Sequence, residues 1–190
     1  SFPTRRSSDL KRKIARLVAL ARSARIIVAV ESSGNVDDLS SASMAAGAEL
    51  GVIIEINVGM DRCGVDGDGA VELAKQIDAA PGLRFDGLMG YEGHVVAERD
   101  YETRKTEAEK AMTILTGAAD QIRGVGIDVK LVSAAGTGTY NITGRVEGIT
   151  ELQCGSYIFM DGDYLEVFND FEPALSVLAT VISRQKQDVA

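Results

Sequence analysis

Apolar residues recur along this chain with two alternating periods. Over residues 11–23, Ile14, Leu17, Val18 and Ala21 fall at i, i+3, i+4 and i+7 with Lys and Arg between them, which predicts an amphipathic helix. The run from Ile26 to Val30 is continuously apolar and predicts a strand covered on both faces. Further helices are predicted over 35–46, stopped by Gly47, and over 69–80, stopped by Pro81-Gly82. A long helix over 99–123 carries Ala108, Ala111, Met112, Leu115, Ala118, Ala119 and Ile122 on one stripe. Strands are predicted over 52–58, 83–90, 129–133 and 151–160, with only a loop and a helical turn between the last two. One more strand is predicted over 177–183.

Strands that alternate with helices of 10–15 residues imply βαβ units and a parallel sheet. Two architectures compete, an open doubly wound sheet and an α/β barrel. No G-x-G-x-x-G follows the first strand, which weakens a dinucleotide-binding reading. The strands run into polar or Gly-rich sequence, Glu31-Ser32, Asn57-Val58-Gly59, Tyr91-Glu92-Gly93 and Gly136-Thr137-Gly138, and the carboxyl ends of barrel strands build active sites. The expectation is therefore a partial TIM-type (β/α)8 barrel, since a closed one needs about 250 residues. Residues 1–10, SFPTRRSSDL, follow neither period and resemble the translation of a sequencing-library adapter. They are expected to be non-native, against the alternative of a Ser-rich leader in which Ser8 or Asp9 caps the first helix. Residues 11–175 are expected to form the partial barrel and 176–190 the start of a further β domain, so that both ends are expected to be truncated.

Charge narrows the partners. Of the 190 residues 28 are acidic and 20 basic, a net charge of −8, which argues against nucleic acid as the main partner. No apolar run approaches the ~20 residues that span a bilayer. No secretory signal is visible, so the default setting is cytoplasmic. Two cysteines are too few for a disulfide framework, and no four-ligand zinc pattern exists.

Five segments carry candidate chemistry. Ala135-Gly136-Thr137-Gly138-Thr139 offers backbone N–H groups and two hydroxyls after a strand, the donors of either a phosphate cradle or a tight glycine turn. Gly155-Ser156-Tyr157 offers the same donors inside the next predicted strand, or a bulge there. Arg62, in a Gly-flanked loop, can reach an anionic or aromatic ligand or pair with Asp61. Tyr91-Glu92-Gly93-His94 brings a ring hydroxyl and two groups able to move protons, with His94 the sole imidazole and so at most one metal ligand. Asp161 and Asp163 read as a metal pair or a solvated loop. Cys63 and Cys154 read as small buried residues rather than nucleophiles.

In their order and spacing, IIEINVGMDRCGV, GLRFDGLMGYEGH, SAAGTGTYN and ELQCGSYIFMDGDY resemble the D-threonine aldolase and D-serine dehydratase-like family. These are pyridoxal-phosphate enzymes with an alanine racemase-like N-terminal barrel. The resemblance implies that Thr137, Gly138 and Thr139 hold the cofactor phosphate with Gly155 and Ser156, and that Tyr157 belongs to the same shell. It places Arg62 near the cofactor ring oxygen and Tyr91 beside the pyridine ring, with Tyr91 and His94 as the catalytic candidates. Aldolase relatives commonly read Tyr-His-Gly and carry a base histidine a few residues later, where this chain reads Tyr-Glu-Gly-His. The Schiff-base lysine implied for the end of the first barrel strand has no counterpart, because Lys75, Lys105 and Lys110 fall on helical patterns and Lys130 begins a strand, at the wrong end for catalysis. Such a fragment is expected to be inactive alone. The implied divalent metal (Mn, Mg or Zn) would have ligands outside this chain, and the intact protein would be a homodimer. The implied reaction is cleavage of a D-β-hydroxy-amino acid to glycine and an aldehyde, with dehydratase-like elimination or racemisation as alternatives and a non-catalytic pyridoxal-phosphate carrier as an alternative of another class.

Overall fold

The computed structural model describes residues 7–185. The expectation for the opening segment lies outside the described residues over 1–6, as does the end of the last one over 186–190. The order is α1 (Ser7–Ala21), β1 (Ile27–Val30), α2 (Ser33–Ala46), β2 (Leu50–Glu55), α3 (Gly67–Ala79), β3 (Leu83–Met89), α4 (Tyr101–Gly124), β4 (Leu131–Ala134), α5 (Tyr140–Thr143), β5 (Glu151–Leu152) and α6 (Gly162–Leu165), with a 3-10 turn at Ser156–Ile158 before α6. Helix α1 thus takes in four of the ten residues set aside at the start of the chain.

All strand pairs are parallel, and the sheet order is β1-β2-β3-β4-β5. A doubly wound sheet reverses its strand order at a switch point. This one never does, so it is a sheet wound in a single direction with flanking helices, as in part of an α/β barrel. Among the described residues no helix is long and apolar enough to cross a membrane.

Local chemistry sets the helix ends. The Ser32 hydroxyl accepts from the Asn35 N–H at the start of α2, and Asp66 and Asp100 do the same for α3 and α4. Gly47 closes α2 in the left-handed region at φ 59°. The apolar stripe expected on α4 is buried throughout and meets α3 and the sheet, where Leu50, Val52 and Ile54 of β2 are fully enclosed.

One irregularity in the sheet matters. Between β2 and β3 the register passes from Val52↔Phe85 to Ile53↔Gly87, leaving Asp86 as the extra residue of a bulge. Gly87 sits at φ 148°, and a Cβ there would overlap the Leu131 carbonyl of β4. The bulge turns the buried Asp86 carboxylate onto Arg84, whose Nε and second terminal nitrogen donate to its two oxygens at 2.8 Å each. Arg84 pairs with Glu49 as well, and Arg25 lies 3.6 Å from Asp86, so the amino end of the sheet is tied by charge.

Three expectations need correction. The strand expected over 151–160 is only two residues long, and Ser156 opens a 3-10 turn, so Gly155, Ser156 and Tyr157 stand beyond a strand rather than inside one. Pairing stops at Leu152, and Gly155 at φ −126°, ψ −49° lies outside the strand region, so the extended backbone does not resume there. Residues 177–183 form no strand, because a strand needs a hydrogen-bonded neighbour and none is offered there among the described residues. Cys63 is exposed and Cys154 half-buried, where both were expected to be buried. Cys63 lies in a loop whose backbone turns it outward.

Candidate functional site

The loops after β2, β3 and β4 meet at the carboxyl end of the sheet. The first, residues 57–64, is closed at its base by an Ile56–Val65 bridge. The Asn57 side chain then organises it, with its Oδ1 accepting from the Gly59 and Asp61 amides at 3.1 Å each and its Nδ2 donating to Asp61 at 2.8 Å. Asp61 adopts φ 54°, a conformation Asp tolerates through such local bonding. The result projects Arg62 over the Tyr91 ring, 5.6 Å from its centroid. The two residues expected to face a cofactor ring are thus brought together by a cation–π contact, and the Asp61 carboxylate bonds Asn57 instead of Arg62.

Tyr91 is wedged between two glycines. A Cβ on Gly93 would overlap its ring, and one on Gly136 would lie 2.9 Å from its Cε2. Burial pushes the Tyr91 phenol up, Tyr164 and Glu92 add to this, and Arg62 opposes it. The group therefore stays a neutral hydroxyl and hydrogen-bond donor. His94 is exposed, and its imidazole lies against Gly59 of the neighbouring loop. Sequence reasoning placed both at one strand end, and the structure does so too, but His94 makes no side-chain hydrogen bond or ion pair to a described residue.

The Gly-rich loop after β4 lies deeper than expected. Residues 132–139 are buried throughout. A Cβ on Gly138 would overlap the Val96 carbonyl, so this glycine is set by close backbone approach. Thr137 Oγ1 accepts the Tyr157 N–H at 3.0 Å, which fixes the 3-10 turn on top of the loop. Gly155, Ser156 and Tyr157 in that turn are exposed, and no atom lies within 4 Å of where a Gly155 Cβ would be. The donors at the surface are those of 155–157, with the 137–139 loop directly beneath.

Sequence reasoning noted Glu92 only as a proton-moving side chain. Its carboxylate is fully buried and accepts from Thr139 Oγ1 and Thr143 Oγ1 at 2.6 Å each and from the Ala135 amide at 3.2 Å. The usable signal was the spacing of the two threonines, since hydroxyls four apart on a helical turn share a face. Burial and Glu92 push the Cys154 thiol up, so it is a poor thiolate source. At the outer rim the ligand atoms of Glu31, Glu55 and Cys63 lie within 4.8 Å of one another. Glu31 already accepts the Gly64 amide at 2.6 Å, and burial with the Glu31 charge pushes Glu55 up. Lys75 stands on α3 and Lys105 and Lys110 on α4, and Lys130 precedes β4 at its amino end, all away from these loops.

Comparison with known proteins agrees with this architecture. The family model for the alanine racemase N-terminal domain matches residues 6–163. A D-threonine aldolase of an Arthrobacter species is 40% identical over 181 residues, covering 93% of this chain and 48% of its own length. A 3-hydroxy-D-aspartate aldolase of Paracoccus denitrificans is 36% identical over 189 residues, covering 94% and 49%. The crystal structure of a D-threonine aldolase from Filomicrobium marinum superposes with a TM-score of 0.87 at 40% identity, covering 93% of this chain and 48% of that one. The chain spans about half the length of the curated relatives it matches. The chain belongs to the alanine racemase N-terminal domain family.

Proposed function

We propose that these residues form the cofactor-binding part of a pyridoxal-phosphate lyase that cleaves D-β-hydroxy-amino acids to glycine and an aldehyde. The observation that carries the reading is the convergence of the Arg62–Tyr91 pair with the 137–139 loop and the 155–157 turn at one end of the sheet. The donor set suits the cofactor. The exposed Ser156 and Gly155, above Thr137, Gly138 and Thr139, supply uncharged N–H and hydroxyl donors for a phosphate, with open space beside Gly155. Tyr91 and Arg62 supply a flat face, a phenol donor and a cation for the ring and its oxygen. When bound, the cofactor supplies an electron sink for negative charge at the α-carbon. The chain's own residues orient it. Tyr157 is held over the phosphate donors by Thr137, Tyr91 is half-buried and keeps its proton, and His94 stands at the rim where it can take a proton from a substrate hydroxyl.

The substrate class follows the aldolase relatives, at 36% and 40% identity. A D-threo-3-hydroxyaspartate dehydratase of a Delftia species, 30% identical over 161 residues, supports elimination as a second reading. The divalent metal is assigned to ligands outside these 190 residues, and the whole protein to a cytoplasmic homodimer. The test expresses the longest reading frame encoding these residues, with pyridoxal phosphate and Mn, and offers it D- and L-threonine. Glycine and acetaldehyde from the D-isomer alone support the aldolase reading. A keto acid and ammonia shift it to the dehydratase, and cofactor binding without turnover makes the protein a carrier.

A further inference from the structure

Glu92 is a buried carboxylate that forms no ion pair among the described residues. Its partners are two hydroxyls and one amide, all from 135–143. Each bond ties a different part of the 135–143 segment to the one carboxylate. Ala135 adopts φ 71°, a left-handed conformation that costs a non-glycine residue on the order of 1 kcal/mol and persists only where its surroundings enforce it. The Ala135 N–H points at Glu92 Oε2. Thr139 Oγ1 donates to Glu92 Oε1 and in turn accepts the Gly136 amide at 3.1 Å. Its single hydroxyl proton is thus committed to Glu92, and Thr139 is fully buried. Thr143 anchors the far side of the turn to the same oxygen. Above this, Thr137 holds the Tyr157 amide and with it the exposed turn.

We propose that Glu92 is a positioning residue for the phosphate site, acting through Thr139 and Ala135 to fix the 135–139 loop and, through Thr137, the 155–157 turn. Thr139 is a strut between carboxylate and loop, and the phosphate is met by the turn and by the backbone of Thr137 and Gly138. The loop-fixing role stands on the geometry alone, whereas its consequence for a ligand rests on the pyridoxal-phosphate reading. The experiment separates the two.

Wild type, Glu92→Gln, Thr139→Val, Thr139→Ser and the double variant Glu92→Gln/Ala135→Gly are compared in the 190-residue chain. Amide hydrogen exchange is read at Ala135 and Gly136 against the α3 amides as an internal control, and affinity is read for pyridoxal phosphate and for pyridoxal. In Glu92→Gln and Thr139→Val the two loop amides should exchange about tenfold faster or more, with α3 unchanged, because a buried charge-assisted bond is lost. Affinity for pyridoxal phosphate should fall by a similar factor and that for pyridoxal should not. Thr139→Ser, which keeps the hydroxyl, should behave as wild type. Ala135→Gly, which removes the left-handed strain, should restore part of the affinity lost in Glu92→Gln, an effect a merely structural carboxylate would not show. Unchanged loop exchange in Glu92→Gln and Thr139→Val, or Thr139→Ser behaving like Thr139→Val, overturns the proposal. If Glu92→Gln does not fold, the Thr139 pair decides. If the wild type binds neither probe, the pyridoxal-phosphate reading fails while the exchange data still decide the role of Glu92.

Discussion

The Glu92 carboxylate and the Thr139 hydroxyl meet at 2.6 Å across 47 residues of sequence. With the Glu92 bonds to Thr143 and the Ala135 amide, this contact ties the loop after β3 to the loop after β4, so the Tyr91 and 137–139 parts of the proposed site are set relative to each other inside the protein. The neighbouring glycines enforce the same junction. Gly138→Ala should cost about 2–3 kcal/mol, because the new Cβ meets the Val96 carbonyl rather than a side chain that can turn away. Gly155→Ala, with open space at its Cβ, should melt as wild type does. Thermal unfolding of the two variants checks the contrast, and equal melting would remove the close-packed junction.

The Arg62–Tyr91 stack has a spectroscopic consequence. Arg62 is the one influence found to lower the Tyr91 phenol against burial, Tyr164 and Glu92, which raise it. Arg62→Ala should therefore move Tyr91 further up. It should also weaken ring binding about two- to fivefold, the scale of one exposed cation–π contact. Ultraviolet titration of phenolate absorbance, with Tyr91→Phe as the difference reference, reads the shift, and a downward move would contradict the stacking geometry. A raised phenol binds its proton more tightly in the folded state. Its stabilising contribution is thus complete below the ordinary tyrosine range and fades as pH climbs through the folded value, a loss that Tyr91→Phe should abolish.

Acid should act at the other end of the sheet. The Arg84 hydrogen bonds hold Asp86 below the usual carboxylate range, with help from the Arg84 and Arg25 charges against burial. A depressed acid stabilises the fold above its unfolded value and loses that contribution as pH falls through the folded one, so stability should drop below about pH 4. Asp86→Asn should lower stability at neutral pH by about 2 kcal/mol and flatten this acid limb. Urea unfolding at pH 7 and pH 3 measures both, and an unchanged acid limb would remove Asp86 from the account.

Leu175, Val177, Leu178, Val181 and Ile182 stand exposed, Leu178 completely, and β1 has a free edge among the described residues. Apolar surface of this kind, together with an open sheet edge, should make the isolated chain self-associate as its concentration rises. Light scattering across a dilution series would show it, and a single monomeric species throughout would contradict it.

The sequence made the repeating part of the fold legible because the two periods differ sharply. Ile26 to Val30 reads as a strand and the Ala108 to Ile122 stripe as a buried helix face, and both elements form, but β1 lies at the sheet edge with Ala29 exposed and only Val30 buried, so the cover expected on both of its faces is not there among the described residues. Parallel order and the placing of Arg62, Tyr91, His94 and Thr137 at strand ends followed from that alternation. Less legible were features set by tertiary contact. An apolar stretch at 177–183 reads as a strand whether or not a neighbour exists to pair with it. Pairing in β5 stops at Leu152, although the side-chain pattern continues to Met160. Glu92 reads in sequence only as a side chain able to move protons, and the arrival of Thr139, Thr143 and the Ala135 amide makes it a buried anchor.

Parallel titration of the 190-residue chain with pyridoxal phosphate and pyridoxal, followed by calorimetry and cofactor absorbance, tests the central claim most directly. The account predicts saturable binding of the phosphorylated form at least about tenfold tighter than the other, as charge-assisted bonds to a phosphate require. It also predicts that Ser156→Ala and Arg62→Ala each weaken the binding. Equal affinities, or no binding of either by a cooperatively folded chain, would contradict it.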